Sequence, residues 1–282
     1  MAIIRGTDFG DDLVGTNAGD IMNGFGGNDA LEGLGGNDNI NGDAGNDVLL
    51  GGEGNDSLDG GLDGAPQTDA FIEDSDVLDG GAGLDTASYA QVQHGMFINL
   101  FQGLAFGKGN VDSLVSIENV TGTNFVDSIV GDNNANIVQG AGGDDRLDTE
   151  GGNDFLSGGG GRDTLIGGAG VDRMFGGADA DKFVFELASD SLKGLGNRDV
   201  ITGFETDLDK IDLSQIDAKS GTIGNQAFTF IGGSTFTAEG QVRAFFEGDH
   251  TVVALNTTGA SGAESQIQLA GHIDLIGFDF IL

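Results

Sequence analysis

Apolar residues in the first sixty positions follow neither helical spacing nor simple alternation. Leu13, Met22, Leu31, Ile40, Leu49 and Leu58 recur every nine residues, each two places after an aspartate: Asp11, Asp20, Asp29, Asp38, Asp47 and Asp56. Gly15, Gly24, Gly33, Gly42, Gly51 and Gly60 keep a third fixed phase. A second run holds the same frame at Asp127, Asn136, Asp145, Asp154, Asp163, Asp172 and Asp181, with Ile129, Val138, Leu147, Leu156, Leu165, Met174 and Phe183 as its apolar members. Between the runs, Asp76 with Leu78 and Asp85 with Ala87 form a shorter pair. A period that never slips marks a repeat architecture. Each unit predicts a six-residue glycine-rich turn and a three-residue strand whose middle side chain points inward. Glycine supplies the positive φ of such turns. Asn28, Asn37, Asn46 and Asn55, each just before its aspartate, are expected to share the left-handed region, which Asn tolerates better than most residues.

One inward side chain per strand makes a thin core, too small to offset the chain entropy unaided. Composition sharpens the difficulty. Of 282 residues 54 are glycine and one is proline, and 46 acidic against 11 basic residues leave a net charge of −35. Such figures ordinarily mean disorder, and the missing G-X-Y period excludes collagen. A general nucleic-acid binder is excluded too, because phosphates need a basic face. With no cysteine, disulfides, thiolate nucleophiles and zinc–sulfur sites are absent. What remains is a repeat whose charge is neutralised by a bound cation.

The units GGEGNDSLD (51–59), GGGGRDTLI (158–166) and GGAGVDRMF (167–175) resemble the RTX nonapeptide family, G-G-x-G-x-D-x-U-x. The resemblance implies an all-β fold, a calcium-bound parallel β-roll in two blocks with a β-rich C-terminal cap. It also implies two nonapeptides per turn, with calcium held between stacked turns by aspartates and backbone carbonyls. Units eighteen apart then stack, pairing Asp11 with Asp29, Asp20 with Asp38, Asp29 with Asp47 and Asp38 with Asp56. The second block pairs Asp127 with Asp145, Asp145 with Asp163, Asp154 with Asp172 and Asp163 with Asp181. Asn136 with Asp154 is expected to be weaker, having lost one carboxylate, and Thr149, at a glycine position, is expected to distort its turn. The candidate calcium ligands are thus Asp11, Asp20, Asp29, Asp38, Asp47, Asp56, Asp76, Asp85, Asp127, Asp145, Asp154, Asp163, Asp172 and Asp181. Hard oxygen donors and isolated histidines favour Ca²⁺ over zinc or copper. The chain is therefore expected to be unfolded at micromolar calcium and folded at millimolar calcium.

The expected organisation is a first block over 1–64, a loop and divergent rungs over 65–121, a second block over 122–184 and a cap over 185–282. In the middle segment Phe97, Leu100, Leu114, Ile117 and Val120 are candidate core positions. GLDGAPQTDAFIEDSD, around Pro66, slips the frame and reads as a loop, with an acidic cluster at Glu73, Asp74 and Asp76. Residues 181–191, 198–218 and 228–233 read as strands separated by acidic turns. The motif RDVITGFETDLDKIDLS resembles the C-terminal region of serralysin-type proteins. That resemblance implies export by type I secretion machinery reading the C terminus, where Asp279-Phe280-Ile281-Leu282 fits as an acidic residue followed by apolar ones. The same four residues also read as a final strand packed on the cap. Met1 to Gly6 leads into the repeats without the apolar core of a signal peptide, and secretion to the extracellular space is expected.

Catalytic motifs are missing. His94, His250 and His272 stand in unrelated contexts, so the H-E-x-x-H of serralysins does not occur, nor does a phosphate-binding G-x-x-x-x-G-K-[ST]. GASGA around Ser261 lacks the final glycine of a nucleophile elbow. The expected function is non-catalytic, with calcium as cofactor. Small secreted RTX proteins of nodulating rhizobia have a similar whole-chain arrangement, which implies action on a host membrane as a cation-conducting pore. The alternatives are a matrix or adhesion protein binding acidic extracellular polysaccharide through calcium, and the secretion module of a truncated hydrolase.

Overall fold

A computed structural model describes residues 1–61, 75–108, 110–259 and 262–282. The loop around Pro66, with Glu73 and Asp74, and Ser261 lie outside these residues. The fold is all-β, and among the described residues the one helical element is a 3-10 turn at Gly277–Asp279. Two compact units are formed, one from Met1–Gly131 with Asn136–Gly143 and the other from Asp132–Ala135 with Asp144–Leu282.

In the first unit successive strands alternate between two parallel sheets. One begins Ile3–Arg5, Ile21–Gly26, Asn39–Ala44, Ser57–Asp59 and continues through Thr86–Ser88, Asn119–Thr121 and Ile137–Gly142; the other begins Asp12–Val14, Ala30–Glu32, Val48–Glu53, Val77–Ala82. Met22 pairs with Ile40 and Leu31 with Leu49, so each turn consumes two nonapeptides. Three-residue strands alternate outward, inward, outward, which stacks Met22, Ile40, Leu58, Ala87 and Val120 in one column and Leu31, Leu49, Leu78 and Leu114 in the other. All are buried. Leu13, in the outermost rung, is half-exposed because nothing stacks beyond it on one side.

Two insertions interrupt the winding without breaking the columns. The link from Asp47 to Asp76 spans 29 residues rather than 18, and that from Asp76 to Asp112 spans 36. The second insertion carries an antiparallel excursion, Phe97–Asn99 against Leu104–Gly107 against Asn110–Val115. Leu100, Leu114, Ile117 and Val120 are buried as expected, but Phe97 is not a core residue. It faces outward and stacks on Phe106 with centroids 4.8 Å apart, because the strand's alternation gives the inward place to Ile98, which is fully buried.

The second unit begins in the same way. Arg146–Asp148, Thr164–Ile166, Lys182–Val184, Lys210–Asp212 and Phe280–Ile281 stack in one sheet; Phe155–Gly160, Arg173–Ala178, Val200–Thr202 and Ser265–Ala270 stack in the other. Leu147, Leu165, Phe183, Ile211 and Phe280 form one buried column, and Leu156, Met174, Ile201 and Leu269 the other. The last turns are no longer nonapeptides. Ser265–Ala270 pairs antiparallel with His250–Asn256, which pairs with Gln241–Glu247. Asp279 is fully buried, and its carboxylate accepts the amides of Ile276 and Asp207 at 2.7 and 3.3 Å.

Candidate metal centre

Every expected ligand except half-buried Asp11 is buried, although all lie in turns. Two oxygens of each carboxylate have different tasks. Oδ1 accepts the backbone N–H of the aspartate one turn earlier: Asp11 to Asp29 at 2.7 Å, Asp20 to Asp38 at 2.6 Å, Asp29 to Asp47 and Asp38 to Asp56 at 2.8 Å. The second unit repeats this with Asp145 to Asp163, Asp154 to Asp172 and Asp163 to Asp181, each at 2.9 Å. The pairs expected eighteen residues apart within each unit are therefore brought together. Asp76 and Asp85 join as acceptors for Asp47 and Asp56 at 2.8 and 2.7 Å. Asp127 accepts from Met96 at 2.7 Å, and the Asn136 side chain donates to the Glu118 carbonyl at 2.8 Å.

Oδ2 is different. At Asp29, Asp38, Asp56, Asp85, Asp163, Asp172 and Asp181 it is buried and receives no donor, a costly state for a carboxylate. Each faces the glycine five residues earlier. A Cβ at Gly24 would strike Asp29 Oδ2 and come within 2.8 Å of the Gly42 carbonyl; one at Gly51 would strike Asp56 Oδ2 and come within 2.6 Å of the Gly80 carbonyl. The missing side chain thus leaves a cradle bounded by a carboxylate oxygen and a carbonyl oxygen of the next turn. Gly158, with Asp163 Oδ2 and the Gly176 carbonyl, makes the same cradle in the second unit. Among the described residues no three His, Cys, Asp or Glu side chains converge as a metal cluster. A cation here would draw on carboxylate and carbonyl oxygens together, a donor set that suits calcium.

The turns use two left-handed residues rather than the expected asparagine. Four places before the aspartate stand Phe25 (φ 79°), Leu34 (φ 73°) and their equivalents; two places before it stand Gly27 (φ 102°) and Gly36 (φ 99°). Asn28, Asn37, Asn46 and Asn55 are not left-handed. Their side chains form a second ladder, Asn28 Oδ1 accepting from Asn46 N at 3.2 Å and Asn37 Oδ1 from Asn55 N at 3.1 Å. Thr149 leaves its turn undistorted in this respect, since Glu150 keeps a left-handed φ of 61°. Its buried hydroxyl donates to the Gly167 carbonyl at 3.0 Å, within the space a glycine would leave open.

Burial, reinforced by neighbouring carboxylates, raises the carboxyls of Asp172 and Asp181 to about 7 and Asp85 to about 6. Asp20 is instead lowered, chiefly by the amide of Ala2 and further by Thr16.

Four carboxylates outside the expected set extend the ladder. Asp112 accepts from Asp76 N at 3.1 Å, Glu118 from Asp85 N at 2.9 Å, Asp199 from Asp172 N and Asp209 from Asp181 N at 2.9 Å. Each precedes an inward apolar residue by two places, Leu114, Val120, Ile201 and Ile211, so the aspartate-to-core spacing survives where the glycine frame is lost. Arg198, beside Asp199, is buried and donates to Gln266 Oε1 at 3.0 Å and Glu247 Oε2 at 2.5 Å, tying this rung to the antiparallel strands.

The family model for the RTX calcium-binding nonapeptide repeat matches four times, over residues 5–40, 32–64, 121–156 and 148–183. Among solved structures, the AlgE6R3 subunit of the Azotobacter vinelandii mannuronan C5-epimerase is 27% identical over 57% of this chain and 80% of its own, with a TM-score of 0.29. The AlgE6R2 subunit of that enzyme is 25% identical over 56% and 91%, with a TM-score of 0.29. The extracellular lipase LipA of Serratia marcescens is 16% identical, covering 96% of this chain and 40% of the lipase, with a TM-score of 0.35. No curated protein matches.

Proposed function

We propose, from the premise that this chain is an RTX-type calcium-binding repeat protein, that it is a secreted, non-enzymatic module that folds on calcium and then binds acidic polysaccharide through it. The observation that carries the calcium reading is the set of buried Oδ2 atoms without donors at Asp29, Asp38, Asp56, Asp85, Asp163, Asp172 and Asp181. An unpaired buried carboxylate is unfavourable, and a stack of them more so. Bound calcium supplies the positive charge and the oxygen coordination that these turns otherwise lack. The chain's own residues do the rest: Oδ1 atoms hold successive turns in register, and glycines keep each cradle open. Folding is then linked to calcium, weak at micromolar and complete at millimolar concentration. This suits a chain exported unfolded by type I machinery through its C terminus. At −35 the protein repels acidic polymers, so polysaccharide attachment follows only where calcium bridges the two.

A second reading is a cation-conducting membrane role like that of the rhizobial nodulation protein O. One observation favours it: Phe101 is 72% exposed on the antiparallel excursion, with Phe106, Val111 and Val115 also exposed nearby. No helix among the described residues is long and apolar enough to cross a membrane.

Circular dichroism in excess chelator and at millimolar calcium tests the shared premise, which fails if the chelated chain is already β-rich. Equilibrium binding to polyuronate and to neutral dextran, beside planar-bilayer conductance, separates the roles. Saturable, calcium-dependent polyuronate binding with a silent bilayer supports the first. Discrete cation-selective steps without polyuronate binding replace it with the second.

A further inference from the structure

We infer that cations follow the carboxylates whose Oδ2 lacks a protein donor, rather than the aspartates of the nonapeptide frame. This adds a site at Asp172–Asp199, beyond the last repeat, and removes Asp11, Asp20 and Asp127. The inference rests on the calcium reading above and goes further by stating which rungs are occupied.

Asp199 lies 27 residues after Asp172, in RDVI rather than in a glycine-rich unit. The glycine five places earlier, Gly194, does not face it, yet its carboxylate is held as that of a repeat aspartate is held. Its side chain is buried, its Oδ1 takes the Asp172 amide at 2.9 Å, and its Oδ2 receives no donor. Asp172 Oδ2, one turn earlier in the same column, is equally without a donor. Two such oxygens on consecutive rungs are what the repeat pairs offer, and they call for the same oxygen-coordinated divalent cation. Asp209 makes the contrast. It too receives a repeat amide, from Asp181, but its Oδ2 accepts the Glu205 amide at 2.8 Å, leaving nothing for a metal.

The excluded rungs share a sequence: GTDFGD, GTNAGD and GTNFVD, with threonine four places before the aspartate and no glycine two places before it. A β-branched residue strongly disfavours positive φ, and Thr7, Thr16 and Thr123 are not left-handed. Their amides therefore turn onto the carboxylate, donating to Oδ2 of Asp11, Asp20 and Asp127 at 2.6, 2.8 and 2.6 Å. The hydroxyls add bonds of 2.9, 2.8 and 3.0 Å, the last to Oδ1 of Asp127. Where the fourth residue back is left-handed, as at Phe25, Leu34, Gly52, Gly159, Gly168 and Gly177, no such donor reaches Oδ2. The threonine units are closed by the protein itself, so the opening rungs of each block stand without metal.

Calcium-loaded crystals test both halves at once. Anomalous difference density about 2.3–2.6 Å from Asp199 Oδ2, and none at Asp20 or Asp127, is expected. Density at Asp20 and Asp127, or none at Asp199 when Asp38 and Asp163 carry it, overturns the inference while leaving the calcium reading intact. Calcium stoichiometry by equilibrium dialysis gives a second measure on folded protein. Asp199→Asn should lose one ion and Asp209→Asn none, whereas Thr16→Gly with Ala18→Gly should gain one. An unchanged count in both Asp199→Asn and the Thr16 double variant overturns it. A native chain that takes up no calcium defeats the underlying calcium reading instead.

Discussion

The backbone N–H of Asp38 donates to Asp56 Oδ1 at 2.8 Å, while Oδ2 of that same carboxylate is buried and receives no donor. One side chain thus serves register through one oxygen and, on the calcium reading proposed above, metal through the other. The two are separable by substitution. Asp56→Asn retains an acceptor for the Asp38 amide and removes the charge, so calcium affinity should fall with the β-signal at saturating calcium preserved. Asp56→Ala orphans the buried amide as well and should cost a further ~1–3 kcal/mol in urea unfolding at saturating calcium. Equal midpoints for the two variants would show that the ladder bond contributes nothing.

Acid should partly replace calcium. Folding raises the carboxyls of Asp172 and Asp181 to about 7 and Asp199 to about 8, burial being the first cause in each case. A folded state that holds protons more tightly than the unfolded chain is favoured below the ordinary carboxyl range of about 4. That advantage is lost as pH rises through about 7 to 8. In excess chelator the β-signal is therefore expected to grow as pH falls from 8 to 5. A flat or falling signal over that range would refute it.

The two left-handed turn positions should respond unequally. Leu34, at φ 73° and partly exposed, is strained where glycine would be at ease, so Leu34→Gly is expected to be tolerated. Gly36, at φ 99°, is hemmed in: a Cβ there would strike Gly19 N and lie 2.5 Å from the Ala18 carbonyl carbon. Gly36→Ala should lose at least about 1–3 kcal/mol in urea midpoint measurements at fixed calcium. Equal effects at the two positions would contradict the assignment of strain.

Position along the stack should grade the cost of a core deletion. Leu49 is fully buried between Leu31 and Leu78, whereas Leu13 has a stacking partner on one side alone. Leu49→Ala should cost about 2–5 kcal/mol, and Leu13→Ala distinctly less. Calcium-saturated thermal or urea unfolding compares them directly.

The nine-residue frame made the winding, the inward column and most candidate ligands legible, because aspartate, core residue and glycine each recur at one phase. It failed where two functions that coincide in the repeats come apart. Asp112, Glu118, Asp199 and Asp209 keep the spacing to an inward residue but not the glycine turn, so a search keyed to glycine passes over them. Asn28 and its equivalents were expected to supply backbone conformation and instead supply side-chain acceptors. Phe97 was misplaced by one residue of strand phase, since an apolar pair, Phe97-Ile98, does not say which member points in. The threonine units were visible as text, but the direction of an amide depends on φ, which a consensus does not encode.

The amide-to-carboxylate ladder also has a mechanical meaning. In the first unit Asp20 leans on Asp38, Asp38 on Asp56 and Asp56 on Asp85, always toward the later turn. Removing one of these carboxylates strips an acceptor from the aspartate amide before it and takes none from the aspartate amide after it. The loss of a side chain is thus felt on one side only. The backbone bonds lean the other way, Asn39 N donating to the Asp20 carbonyl at 2.9 Å, Ser57 N to the Asp38 carbonyl and Thr86 N to the Asp56 carbonyl at 2.8 Å. Each aspartate clasps the later turn through its carbonyl while being clasped by that turn's carboxylate.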